Sequence, residues 1–105
     1  MITEKLKSMI RLGAGNTRYK DVFDICYLSK SVDVKQLKDC IDKYIFADNT
    51  LHNVTTMNDI VRRIEKLFSN PRYLNELQIS DKNWLGISTD DVLKKDLDFI
   101  KSIKD

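Results

Sequence analysis

Two carboxylates three residues apart, Asp21 and Asp24, close the segment NTRYKDVFD, which also carries Asn16, Arg18 and Lys20. At that spacing both acids share one side of a helix, where paired carboxylates can hold a divalent ion or accept a proton. Lys5 stands upstream in the segment EKL. A flexible ammonium suits phosphate oxygens as a point charge. The same spacings also describe an ordinary charge ladder. Arg18 with Asp21, and Lys20 with Asp24, are at ion-pairing distances along a helix, and Asp21 near a helix start gains from the backbone dipole. A lysine on an opening helix is ordinarily solvated. The residues alone leave both readings open.

Other chemistry is poorly supported. Gly13 and Gly15 lack the G-x-x-x-x-G-K-[ST] pattern of a phosphate loop, and no strand precedes them, so a helix-ending turn is the better reading. His52 stands alone in a polar stretch with no carboxylate or cysteine at ligand spacing. Cys26 and Cys40 form no C-x-x-C pair and read as small buried apolar side chains in a reducing compartment. Trp84 reads as a core or inter-helix filler. Arg62, Arg63 and Lys66 form a solvated helix face, and Arg72 with Tyr73 gives no specific nucleic-acid signal.

The elements that would position these residues are helices. With one proline and three glycines in 105 residues, few breakers interrupt the chain. The apolar spacing predicts helices at about 2–12, 18–29, 34–46, 57–68, 71–77 and from about 89 onward. Asn16 or Thr17, Asp33, Thr55 or Thr56, Asn70 and Ser88 or Thr89 are the expected caps, and Pro71 fits a first helical turn. The second helix has the widest apolar arc. Val22, Phe23, Ile25 and Cys26 are expected to contact the third and fourth helices. Val34, Leu37, Ile41, Tyr44 and Ile45 form the expected stripe of the third. The result is an all-α compact bundle of five or six helices, a single helical domain over 1–105.

The segments Glu4-Lys5-Leu6 and Asn16-x-Arg18-x-Lys20-Asp21-x-x-Asp24 resemble the closing catalytic segment of the AbiEii/AbiGii-type nucleotidyltransferase toxins, known from toxin–antitoxin and abortive-infection systems. The likeness covers about 25 residues clearly. It implies a C-terminal helical part, with Lys5 on nucleotide phosphates and either Asp21 or Asp24 as the site's acid. Asn16, Arg18 and Lys20 would then serve substrate binding, facing phosphate or an RNA backbone. The family's Gly-Ser signature and metal-binding D-x-D lie upstream of these motifs, in a region that this sequence does not include. The resemblance therefore implies a chain inactive on its own, with no metal ligands and no cofactor within it. Mg2+ and a nucleoside triphosphate are expected only for a complete member.

Partners implied are a nucleotidyltransferase N-terminal domain, an antitoxin, or a second copy, with weak RNA contact. The rival reading is a helical protein-interaction module. With 18 basic and 16 acidic residues the net charge is +2, which argues for neither nucleic acid nor membrane as a partner on composition alone. No apolar run reaches the ~20 residues of a membrane span, and the opening residues lack a signal-peptide pattern. A cytoplasmic protein is expected.

Overall fold

A computed structural model describes residues 2–104. Helix α1, Ile2–Leu12, buries Ile2, Leu6, Met9 and Ile10 on one face. Gly13 then turns with φ +54°, a conformation glycine adopts at little steric cost, and a 3₁₀ turn spans Gly13–Gly15. Helix α2, Lys20–Leu28, starts two residues later than the sequence suggests. Asn16 is the reason. Its Oδ1 accepts from Arg18 N at 2.8 Å, closing an Asx turn before the helix rather than capping it. Tyr19 is the N-cap and offers no side-chain bond.

Asp33 caps α3, Val34–Ile41, by accepting from the backbone N–H groups of Lys35 and Gln36. The helix continues as a π-helical turn over Asp42–Phe46. The wider turn disturbs the expected stripe: Ile45 is buried, whereas Tyr44 faces solvent. Val34, in the first turn of α3, is also exposed. Helix α4, Met57–Phe68, opens on a capping box in which Thr56 accepts from Asp59 N and Asp59 accepts from Thr56 N. Asn70 caps α5, Pro71–Ile79, with Pro71 in its first turn. Ser88 caps α6, Thr89–Ser102, whose first turn carries Asp90 and Asp91.

The all-α expectation holds: six helices and no strand occur among the described residues. In α2, Val22, Phe23 and Ile25 are fully buried and Cys26 nearly so. Its main neighbours, however, are α1 and α6 rather than the expected α3 and α4. Helix α4 instead packs on α6, α1 and α5. Two other expectations need correction. Cys40 is only half-buried, because it lies off the Leu37–Ile41 face that α3 presents to the core. Trp84 is half-exposed, for a reason found at the site. Among the described residues no helix is long and apolar enough to cross a membrane.

Candidate functional site

The packing of α1 on α2 brings Lys5 to both carboxylates. Its Nζ lies 3.2 Å from Asp21 Oδ1 and 3.2 Å from Asp24 Oδ2. The equal distances give neither acid precedence. Arg18 Nε lies 3.3 Å from Asp21 Oδ2, so Asp21 sits between two cations. The contact is an ion pair at the edge of bonding range; the hydrogen-bond geometry of that oxygen is otherwise unsatisfied. The Asp21 side chain is 4% exposed, Lys5 18% and Arg18 63%. The cluster thus runs from a closed floor to an open rim.

Burial works against the Lys5 ammonium. Hydrogen bonds to Asp24 and Asp21, and the charge of both, outweigh it, and the pKa ends above its ordinary value. Lys5 is therefore a permanent cation at neutral pH. A lysine that works as base or nucleophile needs its pKa lowered instead. The arrangement stabilises negative charge and does not abstract protons through Lys5.

Trp84 is the residue that sequence reasoning placed wrongly. Its indole Nε1 donates to Asp24 Oδ1 at 3.1 Å, and its ring meets Tyr27 with centroids 4.9 Å apart. The need to satisfy the N–H keeps it at the cluster rather than in the core. No local pattern signals a contact across 60 residues of sequence. Lys20 is exposed, and among the described residues it forms no ion pair with Asp24, whose oxygens go to Lys5 and Trp84. Asn16 is buried with Nδ2 unpartnered, and acts on the cluster by shaping the turn that carries Arg18.

Asp96 on α6 is a second residue that no local sequence pattern signals. It is buried, neither oxygen has a hydrogen-bond partner, and burial pushes its pKa up to about 8. Once ionised, it raises the pKa values of Cys26 and Tyr73, so it belongs to the α2–α5–α6 interior behind the cluster.

A divalent ion is a poor fit to these donors alone. Magnesium takes a near-octahedral set of oxygens. Here Lys5 already joins the two carboxylates, and Arg18 and Trp84 take further oxygens. No third Asp, Glu, His or Cys joins them among the described residues.

Compared with known families, the chain matches a family model over residues 1–100, described as nucleotidyl transferase AbiEii toxin, type IV toxin–antitoxin system. None of the curated proteins and none of the solved structures compared with it matches.

Proposed function

The chain belongs to the AbiEii nucleotidyl transferase toxin family, and from that premise we propose that it is the helical, phosphate-handling part of such an enzyme. The family reaction moves a nucleotidyl group from a nucleoside triphosphate to an acceptor, in some members a transfer RNA. Lys5 contacts the phosphates, Arg18 and Lys20 face phosphate or the RNA backbone, and Asp21 or Asp24 is the acidic group. One observation carries the reading: the motif lysine and both motif aspartates meet at 3.2 Å. The carboxylates compete with phosphate for Lys5, so an incoming triphosphate takes over one of its contacts.

The magnesium that the reaction needs is held by carboxylates outside this cluster, on a nucleotidyltransferase domain that packs against it. The 105-residue chain is then inactive by itself. An antitoxin of the same system is the further protein partner.

Calorimetric titration with inorganic triphosphate tests the phosphate role. The chain should bind it; Lys5→Gln should weaken binding about tenfold or more, the loss of a charge-assisted contact, and Lys5→Arg should retain most of it. Equal affinity in Lys5→Gln would sink the assignment. In a second assay the chain, labelled nucleoside triphosphates, magnesium and bulk RNA should give no incorporation. Robust transfer, abolished by Lys5→Ala, would show that the chain carries a whole site.

A further inference from the structure

We propose that Tyr27 and Trp84 form a stacking platform for a nucleobase, an inference that rests on the phosphate-handling reading above. The two rings are 51% and 50% exposed. They meet at a centroid distance of 4.9 Å and an interplanar angle of 55°, tilted rather than stacked, so about half of each residue stays open to solvent. The contrast is Tyr19–Tyr73, the other ring pair among the described residues, where Tyr73 is buried.

The platform is attached to the charged cluster. Tyr27 stands three residues beyond Asp24 on α2, about one turn or ~4.5 Å further along the axis. Asp21, Asp24 and Tyr27 follow at three-residue spacing on α2 and form one short ridge, and Arg18, which precedes the helix, joins it through its ion pair with Asp21. Trp84 is held to that ridge by its bond to Asp24. The connection carrying it is braced by Asn83, which donates to Ile87 O at 2.7 Å and accepts from Leu85 N at 3.1 Å.

Half-exposed aromatic rings beside a cluster that carries the cations Lys5 and Arg18 match what a nucleotide offers: a π-face at one end and phosphate at the other. Holding the rings in place beforehand lowers the ordering cost of binding. Two sources share this chemistry, the base of a free nucleoside triphosphate and a terminal base of single-stranded RNA.

Trp84 is the chain's single tryptophan, so its fluorescence reads the platform directly. The 105-residue chain is titrated with each of the four nucleoside triphosphates, with a short single-stranded oligoribonucleotide, and with inorganic triphosphate. Base-bearing ligands should quench Trp84 saturably, and inorganic triphosphate should not. Quenching by the triphosphates assigns the base to the nucleotide, and quenching by the oligoribonucleotide alone assigns it to the acceptor. Tyr27→Ala should raise the dissociation constant roughly 5- to 150-fold, the loss of one base stack, and Tyr27→Phe should largely restore it.

No quenching by any base-bearing ligand, the same response to inorganic triphosphate, or an unchanged constant in Tyr27→Ala would overturn the platform. Calorimetric binding of inorganic triphosphate that depends on Lys5, without any effect of a base, removes the platform and leaves the phosphate reading standing. Base-dependent quenching that is indifferent to Lys5→Gln removes the phosphate reading and leaves the platform.

Discussion

Lys5 does two jobs with one charge. It completes the pairing of Asp21 inside the protein, and in the proposed function it also meets phosphate at the rim. Removing one partner of a buried pair leaves the other uncompensated, at roughly 3–5 kcal/mol for a fully enclosed pair. Lys5 is partly open and Arg18 also serves Asp21, so Lys5→Met should cost somewhat less, about 1–3 kcal/mol in urea denaturation. A loss under about 0.5 kcal/mol would mean the pair is no better than an exposed one. Asp96 makes the opposite kind of residue-scale prediction. Folded, its carboxyl keeps the proton up to about pH 8; unfolded, it loses it near the ordinary carboxylate value of 3.8. Between those limits the folded state binds the extra proton, so stability falls as pH rises and levels off above about pH 8. Other shifted groups among the described residues titrate outside the upper part of that window, from about pH 5 to 8. Asp48, Asp59 and Glu76 are displaced downward, and Lys5, Tyr19, Cys26 and Tyr73 upward from alkaline values. Denaturation at pH 5, 7 and 9 should show the decline, and Asp96→Asn should flatten it. A decline that persists in the variant would place its origin elsewhere.

At the scale of elements, the sharpest local signal is the start of α4. Thr56 and Asp59 satisfy each other's backbone donors, and replacing such a cap by alanine costs about 1 kcal/mol. Thr56→Ala should therefore lower stability by that amount, while Thr55→Ala, at the residue before the cap, should cost less. Equal costs would refute the assignment of the cap. Signals of this kind explain why α1 and α4 were legible to the residue: periodic apolar faces, bounded by glycine at one and a threonine cap at the other. Helix α2 was legible in its core residues and not in its neighbours. Val22, Phe23 and Ile25 announce a buried face, but nothing in their spacing says that α6, the last helix, covers it rather than α3 or α4. The same limit separates the two halves of the site. Lys5, Asp21 and Asp24 became candidates through their resemblance to the family motifs, since spacing alone describes an ordinary charge ladder as well. The Trp84–Asp24 bond and the enclosure of Asp96 arise only when α5, its following connection and α6 close over α2, and no local preference encodes that.

Across the whole molecule one apolar cluster takes buried residues from all six helices. The Cα radius of gyration is 12.9 Å, against about 13 Å for a compact domain of this size, so no part stands apart from that core. The site inherits this cooperativity. Lys5 comes from the first helix, Asp21 and Asp24 from the second, and Trp84 from the connection before the sixth. Each is placed by core residues rather than by its own loop. Leu6, fully buried one residue after Lys5, links core to cluster most directly. Leu6→Ala should cost about 2–5 kcal/mol, the range for truncating a buried leucine. A small single domain with one core unfolds as a unit, so Trp84 fluorescence and helical circular dichroism should trace one urea transition, in the variant as in the original chain. In Leu6→Ala both midpoints should move down together. Fluorescence that changes well before the circular dichroism would mean that the 80–88 connection opens separately. The proposed aromatic platform would then be a hinged flap rather than a fixed wall of the candidate site.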